Sequence, residues 1–244
     1  MVETIFPTVT FLLATLMIGT FVFIYSNIPY YENLLGFVPA NVDSYSFDSI
    51  NSYSAITYTF VHVDYFHLLI NLIFLFIAGL SLEERIGKIR FLLIYIFSAL
   101  FAVLFDLMSR YAIGISPTVP FVGASGAIFG LLAVASLLDP HEKVPAGVVF
   151  VTFLPYVTFI APYLGVFANP IFLIFVSIGL IAVTTFTLPL HIPMVVSMLI
   201  LIINWFASFA IKYPLDISSV GHLGGVIGGI VSFFLLSESL KYNK

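Results

Sequence analysis

The chain has 244 residues, of which 61% are hydrophobic and only 8% are charged. A soluble domain carries about 25% charged residues, so this composition excludes a water-soluble monomer. It also excludes a disordered chain, which needs low hydrophobicity and high charge. The net charge of −4 and the absence of a basic patch give no indication of nucleic-acid binding. Because the chain has no cysteine, a disulfide framework and a thiolate nucleophile are excluded. We expect an all-α polytopic membrane protein.

Continuous apolar runs predict eight membrane-spanning helices, each close to the length of about 17–25 residues that crosses a bilayer. The first run follows a flank without the basic residues of a signal peptide, so we interpret it as a span. Segment 25–65 is rich in Tyr, Ser and Asn and contains Pro29 and Pro39, which predicts a long loop. The predicted spans are 8–24, 66–82, 91–108, 123–138, 146–163, 171–188, 193–211 and 221–236.

The distribution of basic residues predicts the orientation. With eight spans and the N-terminus inside, most Lys and Arg residues fall on the inner side of the membrane and only Arg110 and Lys212 fall outside. We therefore expect a multi-pass protein of the cell membrane with both termini in the cytoplasm. The predicted inner residues are Arg85, Lys88, Arg90, Lys143, Lys241 and Lys244.

Four polar residues lie in the first turns of even-numbered spans: His67, Asn71, Ser125 and His222. Even-numbered spans begin at the outer face, so these side chains share one shallow depth. Taken singly, each has an ordinary interpretation, as a packing serine, an interfacial histidine or an asparagine bonded to a neighbouring helix. Together they combine complementary chemistry at one depth, which indicates a functional site.

The chemistry of this set is that of a nucleophile, a base and an anion stabiliser. A serine hydroxyl needs a base to remove its proton, and His222 is the candidate base for Ser125. The side chains of Asn71 and His67 can donate hydrogen bonds to an oxyanion, as can the N–H of Ser125 at a helix start. An acidic third member is less favoured than a Ser–His dyad, because Asp106 has Arg110 four residues later as a partner.

Glycines recur at four-residue spacing on the two spans that carry Ser125 and His222. Such small-residue stripes allow two membrane helices to approach closely, which would bring the hydroxyl and the imidazole within hydrogen-bonding distance. The glycines are Gly126 and Gly130 on one span and Gly221, Gly225 and Gly229 on the other.

Three motifs resemble those of the rhomboid intramembrane serine proteases. His62 and the segment His67-x-x-x-Asn71 are similar to the His…His-x-x-x-Asn signature of that family. Gly123-Ala124-Ser125-Gly126 matches its Gly-x-Ser-Gly motif. Gly221-His222, followed by Gly225 and Gly229, resembles its last helix.

The resemblance implies a six-helix core that cleaves transmembrane segments of other membrane proteins within the lipid bilayer. It implies that Ser125 is the nucleophile, that His222 is the base, and that His67 and Asn71 form the oxyanion site. His62 would hold water and loop structure. Glu83 and Arg85 resemble a structural Glu-x-Arg pair without a catalytic role. We expect neither a cofactor nor a metal ion.

One departure from the family is the 96 residues that lie between Ser125 and His222, where the family has one helix. We predict a single domain, 1–244, with an inserted helix pair at about 146–188 and 193–211 as the family's fifth core helix. An inserted pair preserves parity, so Ser125 and His222 still meet at one face.

Two alternatives stay open at this point. An inactive rhomboid-like protein would bind membrane clients without cleaving them, although such proteins typically lack the serine or the histidine. A small transporter usually places its polar groups at the bilayer centre, whereas these lie at helix starts. If the chain is a protease, we expect span 193–211, with bulky Trp205, Phe206 and Phe209, to be the gate for substrates, because it lacks glycine stripes.

Overall fold

A computed structural model describes residues 7–38, 53–113, 119–151, 170–188, 190–210 and 218–241. The described chain is almost entirely helical, as the apolar runs predict. Most helix boundaries lie within a few residues of the predicted spans. The helices are α1 (Thr8–Ile24), α2 (Ile28–Leu35), α3 (Ser54–Thr57), α4 (Tyr65–Ile86), α5 (Lys88–Ile113), α6 (Ser125–Leu138), α7 (Ala146–Val151), α8 (Pro170–Ala182), α9 (Met194–Ala210) and α10 (Ser218–Lys241).

Three described helical stretches are long and apolar enough to cross a bilayer: Thr8–Leu35, Tyr65–Ile86 and Lys88–Arg110. The serine and histidine helices are shorter apolar helices. Their burial against other helices, rather than their length, positions them. The predicted total of eight spans stays a prediction, and residues 152–163 of the predicted fifth span lie outside the described residues.

The segment after α1 is more helical than the predicted loop. A 3-10 turn, Tyr25–Asn27, leads into α2, and Pro29 occupies the first turn of that helix, where a missing N–H costs nothing. Phe37 then forms two backbone hydrogen bonds with Phe121, with N···O distances of 2.8 and 3.0 Å. The segment is therefore fixed to the chain just before Ser125. The prediction of an irregular loop was wrong for these described residues.

The centre of the fold is the group α5, α6 and α10, whose backbones are in contact. A Cβ atom on Gly225 would overlap the carbonyl oxygen of Gly126, and a Cβ on Gly130 would lie 2.6 Å from the carbonyl oxygen of Gly225. A Cβ on Gly224 would meet the carbonyl oxygen of Phe101 on α5 at 2.5 Å. Any larger residue at these positions would force the helices apart.

Glu83 joins α4 to the beginning of α1. Its carboxylate is fully buried and accepts hydrogen bonds from the N–H groups of Val9 and Thr10, both at 2.9 Å, and from the Thr10 hydroxyl at 2.7 Å. The first N–H groups of a helix have no partner within the helix, and a negative charge there is stabilised by the helix dipole. Glu83 is therefore an N-terminal cap supplied from another helix.

The segment between α6 and α9 begins and ends in a short antiparallel sheet. Strand β1 (Lys143–Pro145) pairs with β2 (His191–Pro193), with Val144 opposite Ile192. Three-residue strands that contain proline show no periodic pattern, so the sequence does not predict them. Beyond the sheet, α8 continues into a π-helical turn, Val183–Thr187. We call the segment between these two strands the excursion. Its two ends are held together by the pairing of β1 with β2.

Helix α7 lies beside both α4 and α9, and α8 also packs against α4. Val148 and Val149 of α7 line one small cleft with Phe74 of α4 and Met198 of α9. The base of the excursion is held to α4 by Arg85, which forms an exposed ion pair with Asp139 at 3.2 Å. The excursion therefore occupies the side of the molecule between α4 and α9.

Candidate active site

Ser125 is the first residue of α6, directly after a tight turn. Gly123 has a φ of +104°, which a residue with a side chain rarely adopts. Ala124 is the N-cap residue and has no side-chain oxygen to accept a bond from the first N–H groups of α6. These donors therefore point out of the helix start beside the Ser125 hydroxyl, which is a favourable place for negative charge.

His222 lies in the first turns of α10, and its Nε2 is 2.6 Å from Oγ of Ser125. This distance is within the range expected for a nucleophile and its general base. When the imidazole carries its proton on Nδ1, Nε2 accepts the hydrogen bond that the hydroxyl donates. The glycine contacts between α6 and α10 set this distance, since Gly126 and Gly225 follow Ser125 and His222 on the touching faces.

Phe129 packs against the His222 ring, and the sequence analysis did not identify it. The two rings are 5.1 Å apart in an edge-to-face arrangement, with an interplanar angle of 66°. Phe129 is four residues after Ser125, so it lies on the same face of α6, one turn deeper. This four-residue spacing from Ser125 is the sequence feature that could have identified Phe129 as a neighbour of the site. The phenyl ring restricts the rotation of the imidazole and separates it from the deeper core.

Asp106 is bonded to Arg110 and not to His222. Oδ2 of Asp106 accepts a hydrogen bond from Nε of Arg110 at 2.6 Å, and both side chains are buried. Arg110 also donates from Nη1 to the carbonyl oxygen of Val119 at 2.9 Å. The pair ties α5 to the chain that leads into the Gly123 turn. Asp106 therefore serves this structural contact, and the geometry is that of a Ser–His pair without it.

His67 lies against the Gly123 turn. A Cβ atom on Gly123 would be 2.6 Å from both Cε1 and Nε2 of the His67 imidazole, so the ring fits there only because residue 123 is glycine. Asp64 fixes the first turn of α4 by accepting the hydrogen bond of the His67 N–H at 2.7 Å. The imidazole is thereby held next to the segment that ends in Ser125.

Asn71 is buried one turn below His67 on α4. Its Nδ2 donates to the carbonyl oxygen of His67 at 2.8 Å, which leaves the second amide hydrogen for another acceptor. In the part of the chain that the structure describes, no hydrogen bond joins Asn71 to Ser125 or His222. The four residues therefore form two bonded pairs, His67 with Asn71 and Ser125 with His222.

His62 is fully buried beside His67, with the two ring centroids 5.0 Å apart. Its Nδ1 lies 3.3 Å from the carbonyl oxygen of Phe60. Burial and the neighbouring imidazole of His67 lower the pKa of His62 to about 3. A neutral His62 with its proton on Nδ1 donates to Phe60 and keeps Nε2 as an acceptor.

Comparison with protein families identifies the chain. The family model described as the Rhomboid domain matches residues 51–182, more than half of the sequence. The chain belongs to the rhomboid family. The matched region contains His62, His67, Asn71 and Ser125, and it ends before α9 and α10, so His222 lies outside it. The fold is accordingly that of an all-α, polytopic rhomboid-like membrane protein.

Several curated relatives show the same similarity. "Rhomboid protein 1, mitochondrial" of Saccharomyces cerevisiae is 36% identical over 91 residues, which cover 37% of this chain and 26% of that protein. "Rhomboid-like protease 3" of Toxoplasma gondii is 33% identical over 87 residues, or 36% and 31% of the two chains. The Bacillus subtilis protein YdcA is 32% identical over 136 residues, or 53% and 61%. The chain thus spans less than two thirds of the length of each.

Proposed function

We propose that this rhomboid protein is an intramembrane serine endopeptidase that cleaves transmembrane segments of other membrane proteins. The observation that carries the proposal is the 2.6 Å contact between Oγ of Ser125 and Nε2 of His222 in an integral membrane protein of this family. A hydroxyl and an imidazole at that distance form a nucleophile and base without any further group. The name of the Toxoplasma relative, a rhomboid-like protease, supports the same reaction class.

In the proposed reaction, Oγ of Ser125 attacks the carbonyl carbon of the scissile peptide bond while its proton passes to Nε2 of His222. The tetrahedral intermediate collapses, the C–N bond breaks, and the imidazolium returns the proton to the departing amine. A water molecule then gives a proton to His222 and attacks the acyl-enzyme, which releases the acid product and restores the Ser125 hydroxyl.

The oxyanion of the tetrahedral intermediate would be stabilised by three groups. The N–H of Ser125 points out of the start of α6, and the second hydrogen of the Asn71 amide is available after its bond to His67. The imidazole of His67, held against Gly123, can donate from the same side. We assign His62 a supporting role, because its buried, neutral ring packs on His67 and keeps one nitrogen as an acceptor for water.

We propose that substrates reach Ser125 past α9, on the side of the inserted segment. The described part of α9 buries Met194, Met198 and Leu201 and has no glycine stripe. Side-chain contacts of this kind separate at lower cost than touching backbones. The bulky residues predicted to form the gate, Trp205, Phe206 and Phe209, have side chains outside the described residues, so their part stays a proposal.

The orientation is also a proposal, with both termini in the cytoplasm and the protein in the cell membrane. The asymmetry of the basic residues supports it. Reporter fusions after Lys143 and after Lys244 should both report a cytoplasmic location, and a fusion at Lys212 should report an external one. An external report at Lys244 would contradict the orientation.

The protease proposal is tested with purified protein in liposomes that contain a generic transmembrane substrate. Wild type should cleave it, and both Ser125→Ala and His222→Ala should lose cleavage by about four orders of magnitude or more, because nucleophile and base act as a unit. Ser136→Ala is the matched control, since Ser136 is a buried serine of the same helix whose hydroxyl donates to the Leu132 carbonyl of its own helix. Cleavage by Ser125→Ala at the wild-type rate would overturn the proposal, as would an inert wild type that binds the substrate.

A further inference from the structure

A cleft of about 230 Å³ lies at the opposite end of the helices from Ser125. It is formed where α4 ends, α5 begins, and α6 and α10 reach their C-terminal turns. A water molecule occupies about 30 Å³ of liquid, so the cleft has room for a much larger group. Its lining residues are Arg85, Ile86, Arg90, Ile94, Leu138, Phe233 and Leu236.

The two arginines of this cleft differ in their partners. The guanidinium of Arg85 is neutralised by Asp139 at 3.2 Å and by Glu142 at 3.5 Å. Arg90 is half-buried, and Nη1 bonds to the carbonyl oxygen of Ile86 at 3.3 Å. Among the described residues, no carboxylate pairs with Arg90. Within the described part of the chain, the cleft therefore contains one cation without a carboxylate partner.

The acidic residues near this end are mostly engaged elsewhere. The Glu83 carboxylate is occupied by Val9 and Thr10, and Glu142 accepts the Ser81 hydroxyl as well as Arg85. Lys88, exposed one turn from the cleft, adds a further positive charge. Among the described residues, Arg90 and Lys88 are therefore cations at this end that form no ion pair with a carboxylate.

The rest of the lining is apolar. Ile94 is buried, and Phe233 and Leu236 are partly buried against the core. Leu138 at the rim keeps 41% of its surface exposed. In a protein that spans a bilayer, such a surface faces acyl chains rather than water. The cleft thus combines a cation at headgroup depth with an apolar wall below it, which is the arrangement that holds lipid headgroups between transmembrane helices.

We propose that this cleft binds one anionic phospholipid, with its phosphate at Arg90 and an acyl chain along Ile94, Phe233 and Leu236. A soluble phosphate would make only the first contact, and a zwitterionic lipid would bring a second, repelled cation. The site is separate from the Ser125–His222 pair and does not depend on the protein being a protease. Lipid bound there would join α4, α5 and α10 at the end away from the dyad.

The test measures lipid retained by the purified full-length protein in native mass spectrometry, with phosphatidylglycerol and phosphatidylcholine added at equal concentration. Wild type should retain one phosphatidylglycerol in preference to phosphatidylcholine. Arg90→Gln should weaken that binding roughly fivefold, the effect of one interfacial cation. Lys88→Gln, which removes a neighbouring cation outside the lining, should weaken the binding by a smaller factor than Arg90→Gln does.

A second variant tests the apolar half and does not depend on the charge. Leu138→Trp fills the cleft from its rim and should also reduce phosphatidylglycerol binding, whereas soluble glycerol phosphate should not displace the lipid from wild type. Thermal unfolding confirms that each variant is folded. Equal losses in Arg90→Gln and Lys88→Gln, or no preference of wild type for phosphatidylglycerol, would overturn the proposal. Displacement of the lipid by glycerol phosphate would instead indicate a simple anion site and also overturn it.

Discussion

The contact between α6 and α10 and the contact between α7 and α9 are made in different ways. On the first side, Gly126 and Gly225 bring two backbones together, so a single added Cβ has no space. On the second side, Val148 and Met198 face a small cleft, and the helices are separated by whole side chains. The contact between α6 and α10 fixes the distance between Ser125 and His222. The side chains between α7 and α9 have space to change their packing.

This difference matches two needs that a protease inside a membrane would have. A nucleophile and its base must be held to within about 0.5 Å, which rigid, closely packed elements achieve. A transmembrane substrate has to come between helices, and elements that move are drawn from the less stable part of a fold. The described parts of the segment between α6 and α9, together with α9, suit the second role.

The largest effect is expected where the backbones touch. Gly225→Ala should lower the free energy of unfolding by about 2 kcal/mol or more, because the helices have to separate, and it should abolish cleavage. Gly179→Ala is the matched control in α8, where an added Cβ meets nothing within 4 Å. It should be neutral or slightly stabilising, by up to about 1 kcal/mol. Thermal unfolding in detergent micelles and cleavage in liposomes measure both. If the two substitutions behaved alike, the contrast between the regions would be lost.

The next effect concerns the oxyanion site. Asn71→Ala removes one donor while the Ser125 N–H stays, so kcat should fall roughly 100- to 1,000-fold. The control is Asn33→Ala, which removes an exposed amide that donates to the Pro29 carbonyl of its own helix. An unchanged kcat in Asn71→Ala would remove this residue from the site and leave its bond to His67 as its whole role.

A smaller effect is expected from linking α7 to α9. The chain has no cysteine, so Val148→Cys with Met198→Cys provides the two thiols for a short bifunctional reagent that links α7 to α9. Cleavage of a transmembrane substrate should fall about tenfold, equivalent to about 1.4 kcal/mol. Labelling of Ser125 by a small fluorophosphonate should not change. The same variant treated with a monofunctional reagent is the control. Undiminished cleavage after linking would place substrate access on another side.

The sequence predicted the helices because each bilayer crossing needs a continuous apolar run, and it predicted the all-α fold and the family, which the comparisons confirm. The candidate dyad could be proposed because Ser125 and His222 stand at the start of glycine stripes with four-residue spacing on α6 and α10. The roles of these residues stay predictions.

Other features could not be predicted because they depend on distant parts of the chain meeting. Strands β1 and β2 are three residues each and form by pairing with each other across almost 50 residues of sequence. Glu83 was expected to belong to a structural Glu-x-Arg pair with Arg85, but its partners, Val9 and Thr10, follow only from the position of α1. Phe129 is one of many apolar residues in a membrane helix, and its contact with His222 becomes visible only when α10 is in place.

The most direct test of the account is whether the Ser125 hydroxyl is activated by His222. The purified protein is treated with a fluorophosphonate probe, and the modified residue is located by mass spectrometry of its peptides. The account predicts a single modification at Ser125, none in Ser125→Ala and a strongly reduced rate in His222→Ala, with Ser136→Ala labelled like wild type. Labelling that persists in Ser125→Ala, or that is as fast in His222→Ala as in wild type, would contradict the account.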